Sequence, residues 1–317
     1  MALLTRNTKG KRSLNRISKR DSNIKDKICL RLMLTPTVFL FLLFCVYPIF
    51  FLIRLSFYNY DGMTEMEWAG LNNYLRLLKD DSWKNAIINT VQLGISIPLL
   101  QIPLSLFLAV TLNKNLKGTA FFRTFLFLPN ITSTAIMGII FSFMFSSYNG
   151  VINGILMNLN LIVRPVEWLG NELTAKLVIT LFSTWAGAGF YMVLFLAALQ
   201  KIPGDIYESA ALDGANNRQV FFKITFPLLG PMFRIITMLS ILNAMKLFDT
   251  IKVLTGGGPG QKTEVMTMFI YRYFFEPTGG AMQQGYASAA SITGLAIMTI
   301  ITIIYRVISS EEGLTNK

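Results

Sequence analysis

Long uncharged stretches decide what this chain can fold into. Lys, Arg, Asp and Glu are absent from Leu32 to Ile53, from Asn85 to Asn113, from Thr124 to Val163 and from Leu177 to Gln200. Each run can cross a bilayer core, which takes about 20 apolar residues. Backbone polar groups in lipid must be satisfied within the segment, so such runs are expected to be helices. Composition agrees, with 53% hydrophobic and 15% charged residues where soluble domains have roughly 45–50% and 25%. The gaps between charges place six spans at about 33–57, 86–112, 124–145, 177–200, 228–249 and 283–305. The fifth carries Arg234 and Lys246, each of which must snorkel or face a partner.

The net charge of +12 is spread unevenly, because basic residues crowd from Arg6 to Arg31 and meet only Asp21 and Asp26 there. Beside an apolar span such an arm reads as a positive-inside anchor on anionic lipid, not as a nucleic-acid site. It puts both termini in the cytoplasm. Leu32–Ile53 exceeds a normal signal-peptide core and is expected to stay in the mature chain. The expected organisation is a basic cytoplasmic arm over 1–31, a first span with its external loop over 32–84, a transmembrane core over 85–306 and a cytoplasmic tail over 307–317. Cys29 and Cys45 offer no disulfide framework. With no histidine in the chain, His-based triads and His metal sites are excluded. No Gly-x-Ser-x-Gly elbow or intramembrane carboxylate pair suggests an enzyme.

Between the fourth and fifth spans, Ile202 to Pro227 carries two sets of helix-start signals. Asp205 with Glu208, and Asn216 with Gln219, have capping-box spacing, and Gly214 falls at the corner, where glycine tolerates a positive φ. Two short helices and a turn are expected. On the first, Tyr207, Ala210, Ala211 and Gly214 share one face at helical spacing, leaving it nearly bare for another backbone to approach.

The run Glu208-Ser-Ala210, three residues, Gly214, nine residues, Ile224, one residue, Phe226-Pro227 resembles a loop of ABC importer permeases. That loop is written Glu-Ala-Ala, three, Gly, nine, Ile, one, Leu-Pro; Ser209 and Phe226 are the departures. Phe57-Tyr-Asn-Tyr, Trp68-Ala-Gly-Leu-Asn-Asn-Tyr, Arg123-Thr-Phe-Leu-Phe-Leu-Pro-Asn and Phe248-Asp-Thr-Ile-Lys-Val-Leu-Thr-Gly-Gly-Gly-Pro extend the resemblance over most of the chain. They point to carbohydrate permeases of the maltose and glycerol-3-phosphate type, and to the member of the pair that matches the larger maltose subunit.

The resemblance implies an all-α integral membrane protein with six transmembrane helices in the type I ABC importer permease fold, in a bacterial or archaeal cell membrane. It implies a second homologous permease, an ATPase dimer that holds the ATP and Mg, and an extracellular or periplasmic solute-binding protein as partners. The cargo would be a sugar or oligosaccharide. Tyr207, Glu208, Ala210, Ala211, Asp213, Gly214, Ile224 and Pro227 would grip the ATPase. A polyol phosphate or peptide cargo is the alternative, and an ion-driven secondary transporter the more distant one.

Gly256-Gly-Gly-Pro-Gly-Gln-Lys-Thr263 invites a phosphate-loop reading, but Gln261 stands where the pattern needs glycine and Pro259 removes a donor. A rigid turn is expected instead. A sugar needs amides and hydroxyls beside aromatic faces. Gln92, Asn130, Ser133, Trp185, Tyr191 and Asn243 are the candidates for that path, with Gln101 and Thr132 also weighed; helix packing is the plainer role for any one of them.

Overall fold

The computed structural model describes residues 29–114, 118–277 and 281–311. Most of the arm over 1–31, and the tail from 312 onward, lie outside the described residues. The chain divides into two units, Met1–Leu55 and Ser56–Lys317.

In the first unit, helix α1 runs over Cys29–Leu55 with nearly all of its apolar side chains exposed, as lipid contact requires. Its stretch Leu42–Val46 is π-helical, and Tyr47 N–H donates to the Leu42 carbonyl. The cause is one residue further on. Pro48 has no N–H and its ring crowds the carbonyl four residues back, so the extra residue of a π turn takes up the misfit.

The second unit opens with a two-residue hairpin, β1 (Tyr58–Asn59) against β2 (Glu67–Trp68), then α2 (Asn72–Lys79). Asn73 donates to the Ser56 and Tyr58 carbonyls at 3.0 Å each, pinning α2 to the hairpin. Asp80 accepts from Ser82 and Trp83 N–H and so caps the long helix α3 (Asp81–Leu112). Next come α4 (Thr119–Ile131), α5 (Thr134–Met144), α6 (Val151–Asn158) and α7 (Glu172–Leu199). After α8 (Gly204–Leu212) the chain enters α9 (Asn217–Met245), α10 (Asp249–Leu254), α11 (Met266–Phe275) and α12 (Gln284–Glu311).

Among the described residues five helices are long and apolar enough to span a membrane: α1, α3, α7, α9 and α12. The third expected span, 124–145, corresponds to the pair α4 and α5, bent by 93°, which makes a sixth span if the two are one. An uncharged run sets length but not continuity. Pro129 already lacks one backbone donor, and the Thr132 hydroxyl takes the Leu128 carbonyl at 2.9 Å while Thr132 turns to an extended backbone. Side-chain bonding of that kind competes with the helical ladder.

A second correction concerns the expected second short helix. Asn216 and Gln219 do form a full capping box, but the helix they start continues through Pro227 to Met245 as α9. Phe221–Thr225 is π-helical and precedes Pro227 in the same register in which Leu42–Val46 precedes Pro48. The loop between α8 and α9 is therefore only 213–216.

The core lies where α3 packs on α7 and α9, with α4 against α7. Ile102, Leu106, Met192, Phe195, Leu229 and Ile236 fill one end, and Leu93, Ile97, Ile179, Phe182, Ala244 and Ile251 another part. Two glycines permit the close approaches. A Cβ on Gly189 would run into the Leu126 carbonyl of α4, and one on Gly187 into the Gln101 amide.

The glycine-rich run is a turn, with φ of 59° at Gly256, 89° at Gly257 and 55° at Gly260. Asn89 of α3 donates to the Lys262 and Glu264 carbonyls at 2.8 Å each. Glu264, 2% exposed, receives two hydrogen bonds of 2.9 Å from Arg272.

Candidate functional site

A cavity of about 310 Å³ opens where the α4–α5 bend meets α3, α7 and α9. Its polar lining comes from Gln101 of α3, Asn130 of α4, Thr134 of α5, Ser183 and Tyr191 of α7, Ser240 and Asn243 of α9, and Thr250 of α10. Phe182, Phe190 and Tyr191 are the aromatic residues of the lining, and none of the described lining residues is charged. Gln101 joins three helices, accepting from Ser240 Oγ at 2.7 Å and donating to the Ser183 carbonyl at 3.0 Å. Asn243 donates to the Tyr191 hydroxyl at 3.0 Å. The Ser183 hydroxyl is buried with no hydrogen-bond partner among the described residues.

Asn130, Tyr191 and Asn243 thus come together from different helices, and Gln101 joins them. The other three expected path residues stand elsewhere. Gln92 accepts from Lys176 at 2.9 Å; Ser133 occupies the N-terminal boundary of α5; Trp185 is tilted against Phe141 at 5.3 Å. None of the three is among the residues that line the cavity. Thr134, Ser183, Ser240 and Thr250 gave no sequence signal, because hydroxyls in a span usually bond their own helix, as Thr180 does to Lys176.

A second candidate surface is α8 and the corner after it. The expected cap on Asp205 is not made: the helix starts at Gly204 after Pro203, which has no side-chain acceptor, and Asp205 sits in the first turn. The expected bare face is also divided. Tyr207 is half-buried and its hydroxyl meets Thr225 Oγ1 at 3.3 Å, and Ala210 is 6% exposed. Both turn inward. Glu208, Ala211, Asp213 and Gly214 face outward, with Gly214 at φ 76°. Leu212, 90% exposed, is an outward residue that the spacing argument passed over; a large aliphatic side chain within a polar stretch was its signal. Ile224 is half-buried and Pro227 exposed, both within α9.

The sequence profile described as binding-protein-dependent transport system inner membrane component matches residues 101–311. A probable ABC transporter permease protein of Bacillus subtilis is 33% identical over 88% of this chain and 95% of its own length. The trehalose/maltose transport system permease protein of Thermococcus litoralis is 32% identical over 90% of this chain and 97% of its own. Among solved structures, a bacterial ABC transporter involved in import of the acidic polysaccharide alginate superposes with a TM-score of 0.79 at 25% identity, covering 92% of this chain and 99% of that one.

Proposed function

This chain belongs to the family of binding-protein-dependent transport system inner membrane components, and from that premise we propose that it is the permease subunit that conducts an uncharged sugar or short oligosaccharide through the cavity between α3, α4, α7 and α9. As a member of that family it is a transport subunit and not an enzyme. The observation that carries the choice of cargo is the lining itself: amides and hydroxyls beside aromatic residues, with no charged side chain among the described residues. Such a surface pairs with ring hydroxyls and has no cation to offset a carboxylate or phosphate in a low-dielectric site.

The expected partners are a second homologous permease, an ATPase dimer holding ATP and Mg, and a solute-binding protein outside, with both termini of this chain in the cytoplasm. The outward residues of α8, with Glu208 and Leu212 foremost, would dock the ATPase. Closure of the ATPase pair would then swing the spans between inward- and outward-facing arrangements as rigid bodies.

The test uses the complete importer in proteoliposomes. Asn243→Ala and Gln101→Ala should each lower uptake of the neutral sugar about tenfold through loss of hydrogen bonds to it or to the cavity wall, and uronates should not compete. Full uptake in both variants, or equal competition by an acidic sugar, overturns the cargo assignment. Glu208→Lys should release the ATPase in pull-downs while the chain still inserts. Retained ATPase with full uptake overturns the docking assignment.

A further inference from the structure

Helix α8 is thinly attached to the bundle. Among the described residues, the Tyr207 hydroxyl to Thr225 Oγ1 contact of 3.3 Å is the one side-chain hydrogen bond from α8 to another element. A cavity of about 380 Å³ opens beside it, bordered by Tyr207, Thr225, Leu199 and Phe221, so solid packing does not hold the helix there. Thr225 itself is 6% exposed and ends the π-helical stretch Phe221–Thr225. Pro227 follows, and its missing N–H leaves the Lys223 carbonyl without its usual helical donor. The turn thus lacks one regular helical hydrogen bond, and π turns often mark functional sites.

Beyond that turn α9 continues through Gly230 and Pro231 to Met245, carrying Ser240 and Asn243 into the cavity. Thr225 and Ser240 are about 22 Å apart along the axis at the α-helical rise. The same helix thus connects Thr225 to the Gln101–Ser240 and Asn243–Tyr191 contacts. The covalent link through 213–216 is closed by backbone bonds from Gly214 N–H to the Ala211 carbonyl at 3.1 Å and from Ala215 N–H to the Ala210 carbonyl at 2.9 Å, so the Tyr207–Thr225 contact is the side-chain link that acts alongside it.

We propose that Tyr207 and Thr225 form the positioning contact through which α8 drives α9, linking events at the ATPase-docking corner to the shape of the solute cavity. This rests on the reading of α8 as the docking helix. Tyr207 acts through Thr225 and touches neither ATP nor cargo. The plainer role, a bond that only fixes the Tyr207 ring, predicts a change in stability without a change in uptake per ATP hydrolysed.

The experiment measures that ratio in the complete importer, reconstituted with its partner permease, ATPase and solute-binding protein. Tyr207→Phe and Thr225→Val each remove one side of the bond and should lower uptake per ATP about three- to tenfold, the worth of one partly buried hydrogen bond. The ATPase should still co-purify, because the altered atoms face inward. The double variant should be no worse than either single one, as for two groups sharing one interaction, and Thr225→Ser should keep the original ratio. An unchanged ratio in the single variants, or losses that add in the double, overturns the proposal. Glu208→Lys run alongside separates the two levels. If it releases the ATPase while Thr225→Val keeps full uptake per ATP, only the Tyr207–Thr225 contact is wrong; if it retains ATPase and uptake, the docking assignment falls and the contact's role falls with it.

Discussion

Glu264 and Arg272 illustrate how a single pair can fix an end of the bundle. Glu264 is 2% exposed and meets Arg272 through two parallel bonds of 2.9 Å, while the Arg272 guanidinium lies 4.8 Å from the Tyr273 ring centre. The Glu264 carbonyl is in turn held by Asn89 of α3. A buried pair of this kind adds little against an apolar replacement of both partners, but removing one leaves the other charged and unsolvated. Glu264→Ala is therefore expected to destabilise the protein by about 3–5 kcal/mol, read as a lowered midpoint of thermal unfolding in detergent. Replacing both with Leu and Met should recover much of the loss. Equal loss in the single and double variants would assign the effect to packing instead.

Among the elements, α4 matters most because its bend opens the cavity and a glycine sets its distance from α7. A Cβ at Gly189 would collide with the Leu126 backbone carbonyl, and a backbone atom cannot step aside as a flexible side chain can. Gly189→Val should force α4 outward at a cost of about 1–3 kcal/mol and lower uptake, with Gly189→Ala intermediate; thermal unfolding and uptake on the same preparations check it. Full stability in both would mean that α4 is free to shift. This contact also shows where sequence reasoning stops. Uncharged runs marked every span but the fifth, which Arg234 and Lys246 interrupt, since lipid tolerates few other patterns, and the Asn216–Gln219 caps marked a true helix start. The 93° bend was hidden because Pro129 and Thr132 act through local backbone geometry that hydropathy ignores. Continuity of α9 was hidden because Pro227 reads as a terminator, whereas a π turn absorbs it. In the cavity, long amides such as Asn130 and Asn243 stood out as costly in a span. The convergence of Ser183, Ser240 and Thr250 required knowing which faces of α7, α9 and α10 meet.

At the scale of the whole molecule, orientation depends on charge, and charge on this chain is lopsided. Net +12 arises from 29 basic and 17 acidic residues, and the basic excess at the proposed cytoplasmic side comes from Arg6 to Arg31. Each Lys or Arg near an anionic leaflet contributes about 1 kcal/mol, and short basic segments flanking the first span dominate insertion. Without the arm, the remaining Lys and Arg divide almost evenly between the two sides, and both orientations approach equal free energy. Replacing the basic residues from Arg6 to Lys27 by Gln is therefore expected to yield a mixed population, roughly half inverted. Cys29, which is exposed, reports one side once Cys45 is changed to Ser. Tyr148→Cys, at a position 83% exposed in the loop before α6, reports the other. With the native arm, a membrane-impermeant thiol reagent added to intact cells should label position 148 and spare Cys29. With the neutral arm both should label, and uptake should fall in proportion to the inverted fraction. Unchanged labelling would mean that the spans and short loops orient themselves, and that the arm serves lipid contact alone.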